Sequence, residues 1–311
     1  SGDIASFTAI NTGTSPDTAT ITVTPTFTHG GESCVGPSED FTIVVNPTGQ
    51  VTDPSDQVVC NNDNTTAVNF TTNNTDGTTT YAWSNDNTAI GLAASGSGDI
   101  ASFTAINTGT SPDTATITVT PTFTHGGESC VGLSEEFTIV VNPTGQVTDP
   151  SDQVVCSNDN TALVDFSSNN TGGTTTYAWS NDNTTIGLAA SGTGDIASFT
   201  AINTGTSPDT ATITVTPTFT HGGESCVGTS EDFTIVVNPT GQVIDPANQL
   251  LCNNDNTALV DFSSNNTGGT TTYTWSNDNT TIGLAASGSG DIASFTATNT
   301  GTSPDTATIT V

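Results

Sequence analysis

The sequence predicts an all-β protein, a tandem array of Greek-key β-sandwich domains of about 96 residues each. Three observations carry this reading. The heptapeptide Asp17-Thr18-Ala19-Thr20-Ile21-Thr22-Val23 returns unchanged at Asp113, Asp209 and Asp305, 96 residues apart each time, and the rest of the chain keeps that period. Within it Ala19, Ile21 and Val23 alternate with Thr18, Thr20 and Thr22, the period-2 pattern of a half-buried strand. Short runs of this kind recur about seven times per period between Asn, Asp, Gly and Ser clusters, and no helical apolar period interrupts them.

Asn46-Pro47-Thr48-Gly49 breaks the strand pattern and returns at Asn142 and Asn238, which marks the linkers. The boundaries follow as a partial sandwich at 1–47, complete repeats at 48–143 and 144–239, and a partial sandwich at 240–311 lacking its last strand. Residues 1–23 match 289–311 apart from Ile10, which aligns with Thr298; both ends fall in mid-repeat, so the expectation is a piece of a longer array.

Inside the first complete repeat, strands are expected at 57–60, 67–70, 79–83, 90–93, 100–106, 115–123 and 137–141, after a last strand at 41–45 in the partial domain. Comparison of copies assigns the faces. Val68 and Phe70 recur as Val164 and Phe166, whereas Ala67 and Asn69 become Leu163 and Asp165, so Val68 and Phe70 point inward. Tyr81 and Trp83 share a face, Phe103 is a large core candidate, and 124–136 is expected to be a long loop. The last strand of each domain, 41–45 and its equivalents, leads directly into the linker.

Charge removes whole classes of function. The chain has 31 acidic residues and no Lys, Arg or Met, for a formal net charge of -31. Side chains that could neutralise phosphates are absent, which argues against nucleic-acid partners and against contact of this segment with anionic membranes. Salt bridges to Lys or Arg and Lys-to-Asn isopeptide bonds are excluded, so stability must come from sheet packing and disulfides. Trypsin-like proteases find no cleavage site. No apolar run reaches the roughly 20 residues of a membrane span.

The recurring elements are Val-Cys at 59–60, Tyr-x-Trp at 81–83, Gly-Asp-Ile-Ala-Ser-Phe at 98–103, Gly-Gly-Glu-Ser-Cys-Val-Gly at 126–132 and Phe-Thr-Ile-Val-Val-Asn-Pro at 137–143. This set resembles the PKD-like and Ig-like repeats of giant Bacteroidota cell-surface proteins, among them gliding and attachment adhesins exported by type IX secretion. The resemblance covers every copy. Asp-Thr-Ala is also similar to the opening of an immunoglobulin strand, with Val23 where a cysteine often stands and Trp83 matching the core tryptophan. The resemblance to the Bacteroidota repeats implies an extracellular, cell-surface stalk or filament, extending a distal binding region, and no enzymatic activity is expected. Neighbouring copies are the expected partners, with surface glycans or other cells reached through regions outside this sequence. The alternatives are spacer repeats of a secreted polysaccharide-degrading enzyme, or repeats that themselves bind glycan. The two complete repeats differ at 11 of 96 positions, which suits a stalk better than a set of distinct recognition sites.

Candidate site residues are few. Each period holds two cysteines, one after the first strand (Cys60, Cys156, Cys252) and one in the long loop (Cys34, Cys130, Cys226). Regular pairings are Cys34 with Cys60, Cys60 with Cys130, or Cys60 with Cys226. In an Ig-like sandwich the first strand ends far from the long loop of its own domain, about 30 Å away against a 7 Å limit, but beside that of the next domain. The interdomain pair Cys60 with Cys226 is therefore favoured over the within-domain pair, leaving Cys34, Cys130, Cys156 and Cys252 to partners outside the sequence. Asp-Thr-Ala also resembles the motif at which Bacteroidota attach O-glycans, which nominates Thr18, Thr114, Thr210 and Thr306; the alternative is a plain strand corner. His29, His125 and His221 each lie five residues before a cysteine, too few ligands for zinc. The loops of Asp63 and Asp86 hold calcium-type oxygens but lack the Gly and terminal Glu of an EF-hand, and turn chemistry accounts for them. No cofactor is expected. The Thr20, Thr22 and Thr24 ladder resembles ice-contact rows, and solvent-facing Thr is equally ordinary strand material.

Overall fold

The computed structural model describes residues 2–311. Strands β1 (Asp17–Val23), β2 (Thr26–His29), β3 (Glu32–Val35) and β4 (Glu39–Val45) form the first partial sandwich. The first complete repeat contains β5 (Gln57–Cys60), β6 (Thr78–Asn85), β7 (Ser95–Ser97), β8 (Asp113–His125), β9 (Glu128–Val131) and β10 (Glu135–Asn142). The second repeats it as β11 (Gln153–Cys156), β12 (Thr174–Asn181), β13 (Ser191–Thr193), β14 (Asp209–His221), β15 (Glu224–Val227) and β16 (Glu231–Asn238). β17 (Thr274–Asn277), β18 (Ser287–Ser289) and β19 (Ile309–Thr310) complete the set. Two compact units result: the chain through Gln146 with Ser168–Thr176 and Pro217–Thr229, and Val147–Ser167, Tyr177–Thr216 and Ser230–Val311.

In the first complete repeat the main sheet runs β5-β10-β8-β6-β7, with β9 also on β8. β5 lies parallel to β10, Gln57 opposite Ile139 and Cys60 opposite Asn142, while β8 is antiparallel to both β10 and β6. Thirteen residues of strict alternation make β8 the spine. Its Ala115, Ile117, Val119 and Phe123 are buried and its threonines face outward. The opposing layer is thin: Val68 and Phe70 on one segment, Ile100 and Ala105 on another, with Ile90 and Leu92 between, all packed on Trp83, Ile117, Val119, Phe137 and Ile139. The second repeat builds the same core from Val164, Phe166, Trp179, Ile213 and Phe233. This is an all-β chain of tandem Ig-like β-sandwiches.

Three expectations are corrected. Segments 67–70 and 100–106 are extended but meet only as isolated bridges, Val68 with Ile100 and Asn64 with Thr104, and not as continuous strands. Side chains have taken the ladder's bonds. Asp99 Oδ1 accepts from the Phe70 amide (2.9 Å), Gln57 Oε1 from Thr66 (2.9 Å) and Thr65 Oγ1 from Phe103 (3.2 Å). Residues 90–93 form no strand. A one-turn 3-10 helix, Thr88–Ile90, stands there, its N-terminus capped by Asn87 and its end closed by Gly91 at φ 96. The loop 124–136 is mostly a hairpin, β8 continuing to His125 and β9 returning, since Gly126 and Gly127 (φ 61 and 87) supply the left-handed pair that a two-residue turn requires.

Candidate functional site at the repeat junctions

The linkers at 46–49 and 142–145 are locked rather than loose. Asn142 Nδ2, fully buried, donates to the His221 carbonyl oxygen (2.9 Å), and the Gly145 amide donates to that of Cys226 (3.1 Å). A Cβ on Gly228 would lie 1.7 Å from the Gly145 carbonyl oxygen, and one on Gly145 would lie 2.6 Å from that of Pro217. Linker and hairpin backbones therefore cross at a distance that only glycine permits. The preceding linker repeats the arrangement, with Asn46 on His125 (2.9 Å) and Gly49 on Cys130 (3.1 Å).

A second attachment comes from the turn before β12. The Thr171 amide donates to the Thr110 carbonyl oxygen (2.8 Å), while Asn170 Nδ2 donates to that of Thr144 (3.2 Å). Equivalent bonds join Thr75 to Thr14 (2.9 Å) and Thr267 to Thr206 (2.8 Å).

The third attachment is covalent. The hairpin β14–β15 turns at Gly222 and Gly223 (φ 61 and 86), and Gly222 sits over Val58 of β5, 3.1 Å from its methyls to a notional Cβ. This brings Cys226 against Cys60 at the end of β5. The two form a disulfide with S–S 2.01 Å and Cα atoms 5.5 Å apart, both residues buried. Cys34, Cys156 and Cys252 are exposed thiols and Cys130 is half-buried, none of them bonded to another described cysteine.

Other candidate residues take structural positions. His125 Nδ1 lies 2.6 Å from the Asp76 carbonyl oxygen at the hairpin, and the carbonyls of His125 and His221 serve the linker asparagines. Asp86 accepts from the Thr116 amide (2.7 Å), a use of the turn carboxylate for backbone satisfaction. Among the described residues no group of three or more His, Cys, Asp or Glu could hold a metal ion. Thr18, Thr114 and Thr210 are exposed at the start of β1, β8 and β14, and Thr306 is exposed ahead of β19. The aspartate before each of the last three binds the asparagine that caps the 3-10 turn, at 2.7–2.8 Å. Asp56 and Asp152 lie against the strand edge: the amide and then the hydroxyl of Thr138 hold the Asp56 carboxyl below its ordinary range, as Thr234 does for Asp152. Sequence reasoning missed Asn46, Asn142 and the glycine crossings; their signal was the recurrence of Asn-Pro-Thr-Gly in step with Cys-Val-Gly.

Neither a protein-family model nor a curated protein matches the sequence. Among solved structures, the chain is similar to tandem Ig repeats of Dlar at 12% identity and TM-score 0.21, covering 61% of this chain and 98% of that one. It is similar to the I9-I11 tandem from titin at 13% and 0.24 (72% and 94%), and to Sidekick-1 immunoglobulin domains 1-5 at 13% and 0.28 (94% and 71%). At these scores the fold assignment rests on the strand order and core described above.

Proposed function

We propose that this chain is a non-enzymatic, extracellular stalk segment of a bacterial cell-surface adhesin of the type IX-secreted kind, holding a distal binding region away from the cell. The observation that supports it best is the junction. Successive repeats are held by the linker crossing and the Cys60–Cys226 bond, which meet at Cys226, and by the Thr171–Thr110 contact, which favours a stiff junction. In this reading the remaining cysteines take the corresponding partners in neighbouring copies, and each copy adds about 35–45 Å of reach, from strands of roughly nine residues plus the linker. Disulfides of this kind persist in oxidising, extracellular settings.

Immunogold labelling of native cells with an antibody to one repeat tests the proposal: label standing off the envelope is expected. Label confined to a soluble hydrolase would favour the spacer alternative. A single copy that bound a glycan array would overturn the passive role.

A further inference from the structure

The cysteines recur 26 residues apart, as 34 and 60, 130 and 156, 226 and 252. The first two stretches hold the last strand of one repeat, the linker and the first strand of the next; the third holds β16 and the linker. Between stretches lie the bodies, 61–129 and 157–225. The structure adds where the covalent bond falls. Cys60 is level with Asn142, the final residue of the parallel strand β10, and Cys226 precedes β16 in the next repeat.

We infer that the disulfide takes the repeat bodies out of the line of tension, so the array is held by its first and last strands alone. A pull entering through linker 46–49 runs along β5, crosses from Cys60 to Cys226, and continues through β16 to the linker at Asn238. Residues 61–225 hang beside that path. Without the bond, force would enter a sandwich at its first strand and leave at its last, shearing the β5–β10 ladder. With it, β5 is pulled between its own two ends. Where every copy makes the same bond, each repeat is crossed by two covalent lines lying side by side as the parallel first and last strands, one line using the disulfide where the other uses the linker. This inference rests on the stalk reading for its biological use, though not for its chemistry. One further consequence is tolerance of damage: a single backbone cut in a body leaves the chain covalently continuous.

The composition provides a clean test, because wild-type chain holds no Lys or Arg. Insert Gly-Lys-Gly after Thr108, exposed in the 61–129 body, and separately after Gly194, whose surroundings are open, to create one trypsin site each. A third insertion, after the open Gly241, lies outside 61–225. After trypsin and denaturing electrophoresis without reductant, both body-cut chains should run as one species and split on reduction; the chain cut after Gly241 should be two pieces in both lanes. Adding Cys60→Ser should make the body-cut chains split without reductant. In optical tweezers, at a force that unfolds the repeats, chain tethered at its ends should gain about 540–590 Å of contour length when reductant is added, from the 165 residues released. Body-cut chains that separate without reductant, a Cys60→Ser chain that does not, or no added length on reduction would each overturn the inference. A compact scattering profile beside a positive cutting result would sink the stalk and leave the routing standing.

Discussion

Gly228→Ala places a methyl where the Gly145 carbonyl oxygen already lies, 1.7 Å from the ideal Cβ. The obstacle is backbone on the linker side, and Gly145 is itself pressed against Pro217, so neither strand can yield cheaply. Relief requires the linker and hairpin to part, which strains packing by about 1–3 kcal/mol and loses the Gly145-to-Cys226 hydrogen bond, worth about 0.5–1.5 kcal/mol. A junction loss of about 1.5–4.5 kcal/mol follows. Hydrogen exchange at the Gly145 amide reads it locally, and the rate should rise about 10- to 2000-fold at 1.36 kcal/mol per decade. Gly241→Ala, with nothing within 4 Å, is the control and should leave exchange at Gly145 unchanged. An unaltered Gly145 rate in Gly228→Ala would refute the crossing as the lock of the linker.

Cys60→Ser with Cys226→Ser opens a loop of 166-residue separation and should reduce stability by up to about 5 kcal/mol on chain entropy, measured by urea unfolding; no shift in midpoint would contradict a formed bond. The Asp56 and Asp152 carboxyls are held low by Thr138 and Thr234, so the stability they contribute is complete above the ordinary Asp range and is lost as pH falls through their depressed values. A melting temperature that declines on acidification below about pH 4, less steeply in Asp56→Asn with Asp152→Asn, is the expected profile. Intact mass of native protein should exceed the bare sequence if Thr18, Thr114, Thr210 and Thr306 carry O-glycans; equality would remove that proposal.

Legibility in the sequence followed the strength of alternation. The runs at 113–125 and 135–142 announce themselves because each buries every second residue on one core, and Val68 and Phe70 could be assigned inward from what differed between copies. The opposing layer was harder: 67–70 and 100–106 have strand-like letters, yet Asp99, Gln57 and Thr65 capture the amides that a ladder needs, and no local pattern announces side chains from distant positions. Ile90 to Ala93 looked like strand from its apolar letters, while Asn87 and Gly91, the residues that cap a 3-10 turn, carried the better signal. Gly126-Gly127 likewise marked a tight hairpin inside what length alone suggested was loop. The closeness of Cys60 to a later repeat's cysteine followed from strand direction, whereas the Gly145–Gly228 crossing depends on sub-ångström approach that spacing does not encode.

The central proposal is that this chain serves as an extended spacer stiffened at its junctions. Small-angle scattering of the oxidised chain, compared with the same chain after reduction, tests it most directly. The account predicts the profile of a thin rod whose length grows by about 35–45 Å when one 96-residue copy is added, with reduction increasing flexibility. A compact globule, or a length that does not change with added copies, would contradict it.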